Sequence, residues 1–179
     1  PCDVSDFDAV QEFVGAAATG AVGELVTRGP YTIKGYWNAP EANAASFTPD
    51  GFFRTGDLAR LTPEGNLVVV GRAKDVINRG GEKVSADEVE GHLRGHEAIE
   101  DAAVVARPDP ELGEAVLAFV VPGGGAGRAP SLVEIKRYLA GRGLAAFKLP
   151  DEVRELPVLP RTPVGKIDKV ALRAAVAAG

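Results

Sequence analysis

Apolar residues stand in short runs, separated by turn residues, through the first part of the chain. Residues 24–27 predict a short strand, and residues 58–61 and 67–70 predict two more on either side of Pro63-Glu64-Gly65-Asn66. Proline, glycine and asparagine between two apolar runs are typical of a hairpin turn. This part of the chain is therefore predicted to form a compact antiparallel β unit.

The pattern is weaker before and between these strands. Residues 33–37 are aromatic and favour a further strand, whereas residues 40–46 favour a short helix. Four apolar residues between positions 7 and 14 have helical spacing, and the small residues 15–20 after them are typical of a linker. Residues 1–22 are assigned no role.

Strand and helix patterns alternate beyond the middle of the chain. The predicted strands are residues 76–77, 83–84, 101–106, 115–121 and 153–156. Ser85 and Ser131 are each followed three residues later by a glutamate, which is the capping-box pattern that opens a helix. Asp168 can cap a last helix over residues 169–178. Alternating strands and helices predict a small α+β domain.

The fold class predicted for the whole chain is α+β, with a small antiparallel β unit followed by a compact α+β domain. The boundary is expected among residues 71–75, where glycine and charged residues replace the apolar pattern. This gives two predicted domains, residues 1–72 and residues 73–179.

Composition narrows the class of protein. Of 179 residues, 45% are apolar and 25% are charged, which is typical of a globular protein. The net charge of −5 argues against a nucleic-acid or anionic-membrane surface as the main partner. No apolar run reaches the length of a membrane span, and the start does not resemble a signal peptide.

One cysteine, Cys2, excludes an internal disulfide and favours the reducing cytoplasm. Because the chain starts at Pro1 and contains no methionine, we expect a piece of a larger protein.

Residues 71–83 combine arginines, lysines and glycines around a short apolar step. Cations beside glycines, which let the backbone approach a ligand, suit a phosphorylated or nucleotide ligand. Arg72 follows a predicted strand, where its planar fork could bind ribose or phosphate, or form a surface salt bridge. Gly80 and Gly81 leave room for a narrow ligand such as a pantetheine arm, or make a plain hairpin turn. Lys74 is notable only for lying at the expected boundary.

Two other positions are candidates for chemistry. Asp57 follows a Thr-Gly turn and could accept hydrogen bonds from a ribose diol, as acidic residues do in dinucleotide folds, or merely cap the turn. Lys166 stands on a loop stiffened by prolines just before a helix, which suits a cation delivered to a developing phosphate charge. It is not part of a Walker motif, and the alternative is an ordinary surface lysine.

A metal site is not expected. His92 and His96 lie four residues apart on a predicted helix, but no third ligand accompanies them. We interpret both as surface histidines. Nothing in the sequence suggests a Ser-His-Asp or Cys-His nucleophile.

The order and spacing of several short motifs are more specific than any one of them. These motifs are Gly23-Glu24-Leu25, Gly35-Tyr36, Arg54-Thr55-Gly56-Asp57, Gly71-Arg72 with Lys74-Asp75, Arg79-Gly80-Gly81 and Pro163-Val164-Gly165-Lys166-Ile167. Together they resemble the adenylate-forming superfamily of acyl- and aryl-CoA ligases, luciferases and adenylation domains of nonribosomal peptide synthetases. Residues 28–36, 43–47, 77–83 and 145–150 resemble the stand-alone aryl-acid adenylating enzymes of siderophore pathways, of the 2,3-dihydroxybenzoate–AMP ligase type.

The resemblance implies a role for each candidate residue. Asp57 would bind the ribose hydroxyls of ATP, with Arg72 beside it. Lys74 would be the hinge about which a mobile C-terminal domain rotates, and Lys166 would stabilise charge on the carboxylate and α-phosphate during adenylation. The domain would then swing away, and a thiol would enter along the face that bears the Gly80-Gly81 loop.

The resemblance also implies a reaction and its partners. A small aromatic carboxylic acid and ATP, with Mg2+ whose ligands are not in this chain, would form an acyl adenylate. The acyl group would then pass to a phosphopantetheine thiol, on an aryl carrier protein or on CoA.

This chain departs from the family because the large N-terminal portion, with its phosphate loop and acid pocket, is absent from it. Residues 1–72 would be the end of that large domain. We therefore expect no adenylation by the chain alone. Two alternatives stay open: a fragment of an aryl- or acyl-CoA ligase, and a non-catalytic binding module left after loss of the N-terminal domain.

Overall fold

A computed structural model describes residues 20–124 and 127–178 and divides the chain into two compact units. The first unit ends at Lys74 and the second begins at Asp75. The helical pattern between positions 7 and 14 and the single cysteine lie outside the described residues.

The first unit contains a three-stranded antiparallel sheet in the order β1-β2-β3. Its elements are β1 (Gly23–Thr27), helix α1 (Pro40–Ser46), β2 (Phe53–Leu61) and β3 (Leu67–Arg72). The predicted hairpin joins β2 to β3: the Thr62 N–H donates to the Asn66 carbonyl at 2.9 Å, and the Gly65 N–H donates to the Thr62 carbonyl at 3.0 Å. The predicted β unit is confirmed.

The strand predicted at residues 33–37 is wrong. The side chain of Asn43 on α1 takes both backbone polar groups of Tyr36, accepting from its N–H at 2.6 Å and donating to its carbonyl at 2.9 Å. Gly35 has φ +147°, outside the range of a strand. These backbone groups are therefore not free for a β ladder, and the segment runs as an irregular loop with Trp37 97% exposed.

The second unit is built on a five-stranded sheet in the order β5-β4-β7-β6, with β8 parallel to β7. The strands are β4 (Val76–Arg79), β5 (Glu82–Ser85), β6 (Ile99–Asp109), β7 (Gly113–Pro122) and β8 (Glu152–Glu155). Every strand predicted for this half of the chain is present. The longest pairing is the β6–β7 hairpin, antiparallel from Ile99↔Pro122 to Asp109↔Gly113, with β7 inside the sheet and β6 at its edge.

Three capped helices complete the second unit. They are α2 (Ala86–Arg94), α3 (Leu132–Gly141) and α4 (Lys169–Ala178). Ser131 and Glu134 form the predicted capping box, and the Ser85 hydroxyl accepts the N–H of Glu88. Asp168 accepts two backbone N–H groups of the first turn of α4, each at 3.0 Å. Short 3₁₀ turns lie at Ala73–Asp75 and Ala146–Lys148.

The β6–β7 hairpin is apolar on both faces. Because side chains alternate across a strand, one face presents Val104 and Ala118 to a cluster that includes α2 and α3. The other face presents Val105 and Leu117 to a second cluster. This second cluster also contains Leu159 and Leu172, which lie on either side of the Lys166 loop and are each 2% exposed. The loop therefore leaves and rejoins the same face of the sheet.

The apolar face of α3 gives a direct test of this core. Leu139 is fully buried, so Leu139→Ala is expected to lower the free energy of unfolding of the second unit by about 2–5 kcal/mol. Val133 lies on the same helix but is 64% exposed, so Val133→Ala is expected to change that energy by less than about 0.5 kcal/mol. Urea unfolding, followed by NMR signals of β7 amides, measures both. Equal effects of the two substitutions would contradict this placement of α3.

Candidate functional site

Asp57 and Arg72 lie opposite each other on β2 and β3 of the first unit. The Arg72 Nε donates to Asp57 Oδ1 at 2.7 Å, and its Nη2 donates to the Thr55 carbonyl at 3.1 Å. Both side chains are partly exposed. The salt bridge that was one interpretation of Arg72 is thus present. No donor among the described residues reaches Asp57 Oδ2, so one carboxylate oxygen is left to accept from a ligand.

The Thr-Gly turn expected before Asp57 is wrong: residues 55–57 lie inside β2, where its pairing with β1 is irregular. Thr55 donates its hydroxyl to the Leu25 carbonyl at 2.7 Å and accepts the Asp57 N–H at 3.0 Å. Gly56 between them has φ +73°, which a side chain would strain. The β2–β3 register shifts between Leu58 and Ala59, just beyond the site. Asp57 is therefore held by local hydrogen bonds and not only by its partner arginine.

Lys74 is the last residue of the first unit and is exposed in the 3₁₀ turn Ala73–Asp75. Asp75, the first residue of the second unit, is buried and pairs with Arg173 on α4. The change from an exposed lysine to an anchored aspartate coincides with the division between the units. Its role as a hinge stays a prediction.

Gly80 and Gly81 form the tight turn between β4 and β5. Both have positive φ, +58° and +93°, which is the type I′ geometry of a two-residue hairpin. The Gly80 N–H donates to the Leu112 carbonyl at 2.8 Å, and a Cβ at Gly80 would lie 3.4 Å from the Leu112 side chain. A Cβ at Gly81 would meet nothing within 4 Å. The hairpin interpretation holds, and the outer side of Gly81 is open to a ligand.

A bidentate ion pair, not predicted from the sequence, anchors this turn to the sheet. Arg79 Nε and Nη2 donate to the two carboxylate oxygens of Asp151 at 2.9 and 2.7 Å, and Asp151 also accepts the Val116 N–H at 2.9 Å. Burial raises the pKa of Asp151, but the hydrogen bonds from Arg79 and Val116 outweigh it and hold that pKa below its usual value. The 72-residue separation of the partners explains why local patterns did not indicate the pair.

Lys166 lies on a turn that is closed by backbone hydrogen bonds. The Thr162 N–H donates to the Lys166 carbonyl at 2.7 Å, and the Gly165 N–H donates to the Thr162 carbonyl at 2.8 Å. Gly165 has φ +82°, so the turn needs a glycine there. Lys166 itself is exposed, and its ammonium contacts no partner in the described part of the chain. The structure therefore presents a free cation on an ordered turn.

Charged side chains extend from this turn back to the start of the second unit. Arg161 donates to the Gly165 carbonyl at 3.0 Å and to Asp101 Oδ2 at 2.7 Å. Asp101 Oδ1 accepts from Arg94 at 3.1 Å, and Arg94 donates to buried Glu90 at 3.1 Å. Lys169 then joins Glu90, at 2.7 Å, to the pair of Asp75 and Arg173. Sequence reasoning missed this series because its members come from five separate segments. The sequence contained one indication of the series, because Lys169 and Arg173 are charged residues in the otherwise apolar helix α4.

The candidates thus fall into two groups, one in each unit. Asp57 and Arg72 contact each other in the first unit, whereas Gly80, Gly81 and Lys166 belong to the second. His96 is held within the fold, since its Nδ1 accepts the Ala98 N–H at 3.1 Å and its ring packs edge-on against Tyr138. Within residues 20–124 and 127–178, no cluster of histidine, cysteine or carboxylate side chains could hold a metal ion. No helix in the same residues is long and apolar enough to cross a membrane.

Comparison with known families matches the second unit. Residues 88–166 match the model of the AMP-binding enzyme C-terminal domain. The matched segment runs from the first turn of α2 to Lys166 and contains β6, β7, α3 and β8.

Curated relatives resemble both units. Triostin synthetase I of Streptomyces triostinicus is 56% identical over 92% of this chain and 31% of its own length. The 2,3-dihydroxybenzoate-AMP ligase of Bacillus subtilis is 57% identical over 88% of this chain and 29% of its own length. A 2-hydroxy-7-methoxy-5-methyl-1-naphthoate–CoA ligase of Streptomyces carzinostaticus is 54% identical over 87% of this chain and 28% of its own length. The chain thus spans about 30% of the length of these relatives.

A solved structure shows the same fold. ATP-bound MatB from Rhodopseudomonas palustris superposes with a TM-score of 0.78 at 35% identity, over 88% of this chain and 31% of MatB. The predicted α+β class is confirmed by this likeness and by the two sheets described above.

The Arg79–Asp151 pair predicts a pH-dependent stability. Asp151→Asn is expected to destabilise the second unit by about 1.5–3 kcal/mol at about pH 7. The carboxylate accepts hydrogen bonds from both the Arg79 guanidinium and the Val116 N–H, and a neutral asparagine amide cannot accept from both in the same way. The pKa of Asp151 is lower in the folded state than the ordinary value of 3.8. The stabilisation is therefore complete above that ordinary value and is lost as the pH falls through the folded-state pKa.

Urea unfolding of wild type and variant between about pH 7 and about pH 2 measures this difference. Glu100→Gln, which changes an exposed carboxylate on β6, serves as the control and should leave stability nearly unchanged. A difference between wild type and Asp151→Asn that stays constant down to the lowest pH would exclude ionised Asp151 as its source.

Proposed function

We propose that this chain, which carries the C-terminal domain of the adenylate-forming, AMP-binding enzymes, is the C-terminal part of an aryl-acid–AMP ligase. In the first half-reaction, a carboxylate oxygen of the acid attacks the α-phosphorus of ATP, and pyrophosphate leaves. In the second, a phosphopantetheine thiol loses its proton, attacks the acyl carbon, and AMP leaves. The products are a thioester, AMP and pyrophosphate.

The placement of Lys166 is the observation that carries this proposal. Its ammonium is exposed and unpaired within the described residues, yet its backbone is held by the Thr162–Lys166 turn. A preorganised cation that meets the negative charge developing between carboxylate and α-phosphate stabilises the transition state more than the separate substrates. We assign that role to Lys166.

We assign the ribose of ATP to Asp57 and Arg72. Asp57 Oδ2 has an open acceptor position for a ribose hydroxyl, while Oδ1 stays bound to Arg72. The remaining guanidinium nitrogen, Nη1 of Arg72, can donate to a ribose oxygen from the adjacent strand. Residues 20–124 and 127–178 contain no cluster of ligands for the magnesium that accompanies ATP.

The second half-reaction is assigned to the Gly80-Gly81 turn of the second unit. We propose that Lys74 is the hinge and that rotation there withdraws Lys166 and brings the Gly80-Gly81 turn to the thiol. Gly81 has no neighbour within 4 Å of the position of a Cβ, which leaves space for a narrow pantetheine arm beside the backbone. A reaction that uses ATP and CoA or a carrier protein belongs in the cytoplasm, where we place the protein.

CoA ligation is the second candidate. The relative from Streptomyces carzinostaticus, 54% identical, is a naphthoate–CoA ligase, so the matched region does not separate the two acceptors. The acid is proposed to be a small aromatic carboxylate because the relatives at 54–57% identity include a 2,3-dihydroxybenzoate-AMP ligase and a naphthoate–CoA ligase.

The chain alone is expected to catalyse no exchange of pyrophosphate into ATP with 2,3-dihydroxybenzoate or salicylate. It spans about 30% of its relatives, and the phosphate loop and acid pocket expected of the family are not in it. The assay compares the purified chain with a protein that also contains the large N-terminal domain. Exchange by the chain alone, well above a no-enzyme control, would refute this division of labour.

Lys166→Ala, made in the protein with the large domain, is expected to slow adenylation by about 10²–10³-fold. Transfer from a supplied acyl adenylate to a thiol should stay near the wild-type rate, because Lys166 is assigned to the first half-reaction alone. Lys136→Ala, on α3, is the control and should leave both half-reactions unchanged.

Pyrophosphate exchange measures the first step, and thioester formation with CoA or with an aryl carrier protein measures the second. The faster acceptor decides between the two candidate functions. If the Lys166→Ala variant formed the adenylate at the wild-type rate, the role proposed for this lysine would be contradicted.

A further inference from the structure

We propose that Arg161, held by Asp101, is a positioning residue for Lys166, an inference that rests on the function proposed above. Arg161 touches neither the lysine ammonium nor any group assigned to a substrate. It acts through the carbonyl of Gly165, to which its Nη1 donates at 3.0 Å.

The peptide between Gly165 and Lys166 is the point of control. The Gly165 carbonyl and the Lys166 N–H belong to one planar peptide unit, so fixing the oxygen fixes the plane. The orientation of that plane limits the direction in which the Lys166 side chain leaves the backbone. Gly165, at φ +82°, would otherwise let the plane rotate more freely than a residue with a side chain.

Asp101 supplies the fixed end of this link. It lies on β6, which is paired along its length with β7, and its side chain is only 19% exposed. Its Oδ2 accepts from Arg161 at 2.7 Å, while Oδ1 accepts from Arg94 at 3.1 Å and from the Ala102 N–H at 2.9 Å. A carboxylate with three such donors has little freedom to move, so the guanidinium joins the loop to the rigid sheet.

Backbone bonds alone do not provide this link. The Thr162–Lys166 and Gly165–Thr162 bonds close the turn on itself, and the Asp168 N–H donates to the Pro160 carbonyl at its base. These bonds set the shape of the turn but do not tie its tip to β6. The planar fork of Arg161 reaches from the tip to the strand, which a shorter or non-planar side chain cannot do in the same geometry.

The same ionic series extends to the domain boundary. Arg94 joins Asp101 to buried Glu90, and Lys169 joins Glu90 to Asp75, the first residue of the second unit. Buried charges with several partners resist displacement because separating them leaves an uncompensated charge. The loop and the start of the unit are therefore expected to move as one body when the hinge rotates.

An ordinary stabilising salt bridge is the competing explanation for Arg161. A structural role predicts that loss of Arg161 lowers stability and weakens both half-reactions together. A positioning role predicts a loss confined to adenylation, in kcat and not in the KM for ATP, because Lys166 acts in that transition state alone.

Three single variants and one double variant in the protein with the large domain test the proposal; the single variants are Arg161→Gln, Arg161→Lys and Asp101→Asn. Misplacing a catalytic group costs up to about 10²-fold, so Arg161→Gln is expected to lower the kcat of pyrophosphate exchange by about 10- to 100-fold. Arg161→Lys should recover only part of that loss, since a lysine keeps the charge without the fork. The double variant Arg161→Gln with Asp101→Asn should be no slower than the slower single variant, because both changes break one link.

Arg128 provides a matched control. It is an arginine of the same unit, with a side chain 71% exposed and 3.9 Å from Glu134, and Arg128→Gln should leave exchange within about 2-fold of wild type. Thiol transfer from a supplied acyl adenylate should stay within about 2-fold of wild type in the Arg161 variants also. Wild-type exchange in Arg161→Gln, or parallel loss of both half-reactions, would overturn the proposal.

A second measurement, made on this chain, tests whether Arg161 anchors the turn without relying on catalysis. Hydrogen exchange at the Gly165 amide, which donates to the Thr162 carbonyl, is expected to be faster in Arg161→Gln than in wild type, while β7 amides stay protected. An unchanged Gly165 amide would show that Arg161 does not hold the turn. If the wild-type enzyme formed no adenylate, the proposed function would fail, and the role of Arg161 for Lys166 with it. The Gly165 amide would then show only whether the turn is anchored.

Discussion

Burial of both faces of the β6–β7 hairpin decides how the second unit is packed. Strands covered on one side alternate apolar and polar residues, but these two strands are apolar at nearly every central position. Each face therefore requires its own cover. Helices α2 and α3 cover one side, and Leu159, Leu172 and their neighbours cover the other. The loop that carries Lys166 spans two of these buried anchors, so its position follows from the packing of the sheet.

Charged residues at the border of this core form the next layer of organisation. Glu90 is buried among apolar side chains, yet its two carboxylate oxygens accept from Val104, Arg94 and Lys169. Asp151 is satisfied in the same way by Arg79 and Val116. A buried carboxylate is tolerated only with such partners. The result is that the Gly80-Gly81 turn and the Lys166 turn are each linked to the β6–β7 hairpin by an arginine–aspartate pair.

Much of this arrangement could be predicted from the sequence, and some of it could not. The hairpins, the capped helices and the Gly80-Gly81 turn have local causes, so residues close in sequence were sufficient to indicate them. The segment around Tyr36 was misread because Asn43, on a helix, takes its backbone hydrogen bonds. Aromatic residues favour strands only when a neighbouring strand is available to pair with them.

The motifs and turn residues along the sequence were enough to indicate the family resemblance, the order of the elements and the candidates Asp57, Arg72, Lys74 and Lys166. The ion pair of Arg72 with Asp57 and the link from the Lys166 turn through Arg161 to Asp101 became visible only in the folded chain. The partners of Arg161 include a residue 60 positions away. Contacts of this kind depend on how the strands and helices pack, and the packing free energy of a whole core is not contained in any local pattern.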